Sequence, residues 1–394
     1  MSNIAFIGYG FSKENLRKQP WNYVWRFCMG LIDRGHQCIL ITDGGDGAVK
    51  KNDIDSLRTI MIDRIRPRTF DQMERILDME RIDIVFWSFT PKSFVFYPNF
   101  RHMGRKIILF MALPIYSLTE LFRAQGLLKR YNLSLYYHNW LVPNFIVKKI
   151  VNSDCVDGMI TMSIRNKNRL LDIGCRKEKV WFLPHGFDAD SGIDPNRLPL
   201  QNDIVSSSKG GNEKSALYLG GPEPIRGPYW LIRSFALACK NQDNLRLTVL
   251  WRTDDAAAVK NIQGEIERIG ISDRVDLVCG ILSPCEVNDY LLRCDFVVLP
   301  FVLVPSEVPI SILEAMQTGK PVIATDVDGI PELIGDKGIV VKPGDTAALS
   351  NAIIKLSNND GKRAAMAKKC RLFMEHYPDW DQISDQACYY LNKI

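Results

Sequence analysis

The stretch that most restricts the fold is Pro305–Ile334, PSEVPISILEAMQTGKPVIATDVDGIPELI. It follows a wholly apolar segment, Phe296–Leu299, that reads as a buried parallel strand. Ser306 and Glu307 then precede Pro309, a residue suited to a helical first turn, where its missing N–H leaves no bond unmade. The pattern predicts a helix from about Val308 to Gln317, stopped at Gly319 with Pro321 behind it. Pro321–Thr325 is a second short apolar strand. Strand, acidic turn, helix and strand in that order make a βαβ unit, which calls for a parallel sheet.

Such a unit has a chemical use. A helix N-terminus at the C-terminal edge of a strand offers unpaired N–H groups and the positive end of the helix dipole, a setting for phosphate. Open parallel sheets place their ligands at that edge. Glu307 and Glu314 bracket the helix. A carboxylate repels phosphate but accepts hydrogen bonds from the hydroxyls of a sugar or ribose. Phosphate and hydroxyl recognition together suggest a nucleotide sugar. Spacing alone fits equally well an ordinary βαβ unit with solvated glutamates.

The same residues resemble the donor-site signature of retaining glycosyltransferases of the GT-B fold, family 4 (glycosyl transferases group 1). That signature runs roughly P-S-x-x-E-x-x-P-x-x-x-L-E-A-M-x-x-G-x-P-V-I-A-T-x-x-G-G-x-P-E. The matches are Pro305, Ser306, Pro309, Leu313, Glu314, Ala315, Met316, Gly319, Pro321 to Thr325, Gly329, Pro331 and Glu332. One departure matters. Six residues separate Glu307 from Glu314 where the family has seven, so the place of the first glutamate falls on Ser306.

The resemblance implies two Rossmann-like domains facing across a cleft, with a C-terminal helix crossing back to the first. It implies transfer of a sugar, with retention, from a UDP- or GDP-sugar to a glycan, lipid-linked or other acceptor. In the donor domain SALYLGG leads to the family's cation pattern, where Gly220 and Arg226-Gly227 match. Gly221 stands where the first cation is usual, which leaves Arg226 with more of the diphosphate charge; an arginine can contact two oxygens at once. Glu307 and Arg226 are thus the expected catalytic residues. The donor site carried over comprises Gly8, Gly10, Gly220, Gly221, Arg226, Ile281, Ser306, Glu307, Pro309, Ile310, Ser311, Ile312 and Glu314. Glu314 is assigned to the ribose, Glu307 to sugar hydroxyls, and the main chain at Ile281 to the base. No metal or other cofactor is expected. The departures at Glu307 and Gly221 keep a rival open, a non-catalytic relative that binds nucleotide sugar or acts as a scaffold.

Length and composition fit this. A chain of 394 residues is long for one core and suggests two domains. A hydrophobic content of 46% and charged content of 24% are those of a globular protein. A net charge of +5 suits a phosphate-bearing ligand or an anionic membrane surface but is too small to argue for nucleic acid. No basic-then-apolar leader opens the sequence, and no window has the roughly 18 apolar residues of a spanning helix. The ten cysteines have no C-x-x-C pair and read as free thiols in a reducing compartment. The expectation is a cytoplasmic protein, with peripheral membrane contact as a further option.

Along the chain, Ile4–Gly8 is a strand opening into Gly8-Tyr9-Gly10, which lacks the third glycine of a dinucleotide fingerprint. Residues 1–189 form the expected acceptor domain, joined by the C-terminal helix 378–394. A polar Ser/Gly-rich linker, 190–213, leads to the donor domain, 214–377. Phe86–Ile150 mixes aromatic and basic residues, a pattern that suits a membrane interface or an acceptor wall as well as a core. Ser163 is placed to cap a helix running from Arg165 to Ile173. His185 stands where asparagine is common, and no catalytic role is assigned to it.

Overall fold

A computed structural model of the chain describes residues 1–16, 19–44, 50–89, 91–111, 114–127, 143–187, 213–304 and 306–394. The expected linker lies almost wholly outside the described residues, as do Pro305, Tyr131, Tyr136, Tyr137 and Trp140.

The first sheet has eight strands: β1 (Asn3–Gly8), β2 (Gln37–Asp43), β3 (Lys50–Ile54), β4 (Leu57–Ile62), β5 (Ile84–Phe89), β6 (Lys106–Met111), β7 (Gly158–Thr161) and β8 (Val180–Phe182). Their order is β3-β4-β2-β1-β5-β6-β7-β8. Every pair is parallel except β3 with β4. That hairpin turns on Asp55 and Ser56, both at positive φ, the backbone of a two-residue turn matched to strand twist. Lys50–Ile54 carries too little apolar alternation for its sequence to declare an edge strand.

The second sheet has six parallel strands: β9 (Lys214–Gly220), β10 (Leu245–Trp251), β11 (Val275–Cys279), β12 (Phe296–Leu299), β13 (Val322–Thr325) and β14 (Gly338–Val341). Their order is β11-β10-β9-β12-β13-β14. In each sheet the chain winds outward from its first strand, then returns to that strand's other side, at β5 and at β12 respectively. The crevices of both topological switch points therefore lie beyond Gly8 and beyond Gly220 and Leu299, where open sheets bind ligands. One apolar cluster runs continuously through residues of both domains, and a second fills the other face of the first sheet.

The signature stretch folds as strand, turn, helix and strand, with one shift. The helix runs from Ile310 to Gln317, so it starts two residues later than expected; Pro309 is its extended N-cap and not part of the first turn. Glu307 is thereby left in the turn, three residues before the helix.

The last helix, Trp380–Leu391, crosses back to pack on Trp21–Asp33 of the first domain. Trp380 meets the Tyr23 ring at 5.2 Å and His185 at 5.0 Å, and Trp181 stacks on Tyr390 at 5.0 Å. Arg34 bridges Asp381 and Asp385 from the first helix. The helices approach at Gly30, where a Cβ would lie 1.9 Å from Ser384 Oγ. Gly30→Ala should destabilise the protein by about 1–3 kcal/mol through overpacking. Ser384→Gly in the same chain should recover part of that loss, measured as a favourable coupling in a denaturant double-mutant cycle. Strictly additive losses would show that the helices do not meet there.

Candidate functional site

The turn after β12 lies between the domains. Phe301, Val302, Leu303 and Val304 are all buried, so their backbone groups need partners inside the protein. Val302 N and Leu303 N donate to Ile225 O, at 2.6 and 3.2 Å. Tyr116, from the first domain, closes the next residue: Val304 N donates to its hydroxyl at 2.7 Å, and the hydroxyl donates to Val304 O at 2.9 Å.

Glu307 follows, fully buried. Its Oε2 accepts from Thr161 Oγ1 at 2.7 Å, Met162 N at 2.8 Å and Ser163 N at 2.7 Å, and its Oε1 accepts from Asn166 Nδ2 at 2.9 Å. All four donors belong to the first domain, at the end of β7 and the start of the helix Ile164–Asp172. This corrects the expectation that Glu307 faces a sugar. Both carboxylate oxygens are committed across the domain interface. The one-residue shortening of the turn leaves Ser306 in the glutamate's register, with its Oγ buried and without a hydrogen-bond partner among the described residues.

Asp328 sits beside this contact, also fully buried and in a left-handed backbone conformation, φ 42°. Ser163 Oγ reaches its Oδ2 at 3.3 Å, and Arg169 Nη1 lies 3.4 Å from its Oδ1. Burial, with repulsion from Asp328 next, pushes the Glu307 carboxyl well above the usual range, while the bonds from Thr161, Ser163 and Met162 pull the other way. Burial likewise raises Asp328, with Arg169 opposing. Ser163 caps its helix as expected, accepting from Asn166 N at 3.0 Å.

The candidate donor site draws on loops at the C-terminal edge of the second sheet. The helix Ile310–Gln317 has no side chain capping its N-terminus. Ile312 N is already bonded to Pro309 O at 3.0 Å and its side chain is buried, so Ile310 and Ser311 are the amides at the tip. Glu314 is half-buried in the second turn; burial raises its pKa and the Arg252 charge opposes this. Arg252 follows β10 directly and donates its N–H to Gly220 O at 2.9 Å. It stands directly after the strand that pairs with β9.

Arg226 ends a short 3-10 turn, Pro224–Arg226, and pairs through Nε with Glu223 Oε2 at 2.9 Å. Gly227 must be glycine: its φ is +74°, and a Cβ there would sit 1.9 Å from Pro300 O. At Gly221, a Cβ would fall 2.2 Å from Glu223 Oε2, so the place of the missing cation is filled by the carboxylate that holds Arg226. Ile281 is exposed after Gly280. On the facing wall, Gly10 has φ +66° and its N–H donates to Asp43 Oδ1 at 2.7 Å, which fixes the loop that opens at Gly8. His185 is buried between Tyr23 and Trp380, near Gln19 Nε2 and Gly186 O, and burial pushes it down to about 4. It is a neutral packing residue.

Comparison with known proteins agrees with this architecture. Residues 213–359 match the family model "Glycosyl transferases group 1", and residues 21–191 match "Glycosyltransferase Family 4". The phosphatidyl-myo-inositol mannosyltransferase of Mycobacterium leprae is 28% identical over 180 residues, 44% of this chain and 45% of that protein. The alpha-D-kanosaminyltransferase of Streptomyces kanamyceticus is 29% identical over 154 residues, 39% of this chain and 38% of that one. The match thus spans less than half the length of these curated relatives. Among solved structures, Anabaena HepE in complex with UDP superposes over 100% of both chains with a TM-score of 0.72 at 16% identity. Sucrose-phosphate synthase from Thermosynechococcus elongatus gives a TM-score of 0.74 at 18% identity, over 100% of this chain and 99% of that one. With two parallel α/β domains, a family model on each and the same fold end to end, the chain belongs to the GT-B glycosyltransferases of group 1, family 4.

Proposed function

We propose that the protein is a retaining glycosyltransferase that takes its sugar from a nucleotide-diphosphate donor. The observation that carries this reading is the convergence of Arg226, the uncapped N-terminus at Ile310 and Ser311, and Glu314 on one sheet edge at a switch point. The arginine and the amides would stabilise charge developing on the departing diphosphate. Glu314, kept near Arg252, would accept from the ribose hydroxyls. The main chain at Ile281 would receive the base, and the unpartnered Ser306 Oγ would meet the sugar. The leaving phosphate serves as proton acceptor for the incoming hydroxyl, attack being on the face it leaves, so this scheme calls on no separate base, metal or other cofactor.

The acceptor, a glycan or lipid-linked hydroxyl, would enter from the first domain. In its aromatic-basic segment Trp87, Phe96, Phe100 and Tyr116 are core residues, whereas Phe122 and Phe145 are exposed beside exposed Arg123, Lys148 and Lys149. Among the described residues no helix is long and apolar enough to cross a membrane. A membrane-held acceptor predicts sedimentation with anionic vesicles at low salt, weakened by Lys148→Glu with Lys149→Glu; indifference of the wild type to vesicles would remove that acceptor class.

A non-catalytic nucleotide-sugar binder is favoured by one feature, the Glu223 carboxylate already seated on Arg226. Product formation from a panel of UDP-, GDP- and ADP-sugars decides between the two. The same panel should raise the unfolding temperature for one nucleotide family, since a ligand at about a hundred times its dissociation constant stabilises by roughly 2.7 kcal/mol. Arg226→Ala should weaken that nucleotide about tenfold or more, the scale of a lost charge-assisted bond. Glu223→Ala should strengthen it by up to about fivefold, because an exposed pair is worth at most ~1 kcal/mol. Weaker binding in Glu223→Ala would place Glu223 among the ligand's partners.

A further inference from the structure

Five consecutive amides, Met162 to Asn166, open the helix Ile164–Asp172, and each has an acceptor. Met162 N and Ser163 N donate to Glu307. Ile164 N and Arg165 N donate to the two oxygens of Glu332, at 2.8 and 3.1 Å. Only Asn166 N is served locally, by Ser163 Oγ. An ordinary N-terminus is capped by its own neighbours or by water. Here four of the five amides find their acceptors in the other domain, on Glu307 and Glu332.

Side chains extend the same contact. Thr161 and Asn166 add two donors to Glu307, Ser163 Oγ turns to Asp328, and Arg165 pairs with Asp326 at 2.8 Å. Arg169 lies between Asp328 and Glu120. Two of these groups are where the chain departs from its family signature. Glu307 is displaced by one position, and Asp328 takes the place of the first glycine of the Gly-Gly pair. Asp328 does so at a positive φ that a non-glycine residue adopts only at a cost. Both departures meet at Ser163.

We propose that Glu307, Asp328 and Glu332 form an interdomain clasp on the N-terminus of the helix Ile164–Asp172, so that Glu307 is a positioning residue that holds the cleft closed. The clasp and the donor wall share one turn: Glu307 stands three residues before Ile310, whose amide begins the phosphate-facing helix. Closing the domains therefore sets the angle of that helix, and separating them returns Glu307 to water. The clasp itself stands on geometry, while its link to donor turnover rests on the function proposed above.

Solution scattering of the ligand-free full chain tests it. The wild type should give a profile matching the closed structure. Glu307→Gln and Asn166→Leu, altered on opposite sides of the contact, should both shift to a larger radius of gyration. UDP affinity of each should stay within about threefold of wild type, because neither residue lies on the donor wall. If Asn166→Leu does not fold, Thr161→Val reads the same contact. A scattering profile unchanged in Glu307→Gln and in the first-domain variant overturns the clasp, whatever the enzyme assays show. So does a loss of UDP affinity beyond tenfold in Glu307→Gln with no change of shape, which would return Glu307 to the donor site. Failure of the donor panel with the clasp intact would instead fault the proposed function.

Discussion

The structure depends on a carboxylate taken entirely out of water. Burying the Glu307 carboxyl is tolerable only because four donors converge on its two oxygens, two of them backbone amides at the positive end of a helix. Such an arrangement is unforgiving. Removing the carboxyl group leaves Met162 N and Ser163 N buried without acceptors, and removing the donors leaves a buried carboxyl without partners. The turn leading to Glu307 is apolar from Phe301 to Val304, so a greasy seam adjoins the polar cluster of Glu307, Asp328 and Glu332.

Around that point the two sheets obey the same topological rule. Each starts at a central strand, β1 or β9, and each reverses its winding beside it. Rossmann-like domains produce a crevice at that reversal, and the contacts of Tyr116 with Val304 and of Glu307 with Thr161 join residues that follow strand C-termini in both domains. The candidate donor site and the domain contact are thus two parts of one sheet edge.

Much of this was legible in the sequence. Phe296–Leu299 and Val322–Thr325 announce themselves because strands buried on both faces must be apolar throughout. Gly319 ends its helix for the conformational reason that made it readable, with φ +69°. The family and the fold followed from the density of the signature. The partner of Glu307 did not, because Met162 and Ser163 lie 145 and 144 residues away and a backbone amide leaves no mark on residue identity. The one-residue shortening was the visible trace of that role. Asp328 left a second trace, since an aspartate in a glycine's place signals a local use for the carboxylate. The late helix start reflects the extended backbone of Pro309, which local pattern does not distinguish from a first-turn proline.

The return of the C-terminal helix to the first domain has a mechanical consequence. The chain passes between the domains twice, once between Phe187 and Glu213 and again between Glu375 and Trp380. A single tether would allow one domain to swivel in any direction. Two links, one of them anchored by Trp380 in an aromatic socket of Tyr23 and His185, restrict how the domains can move against each other. A cleft opened under that restraint would close again with each carboxylate facing the same set of amides.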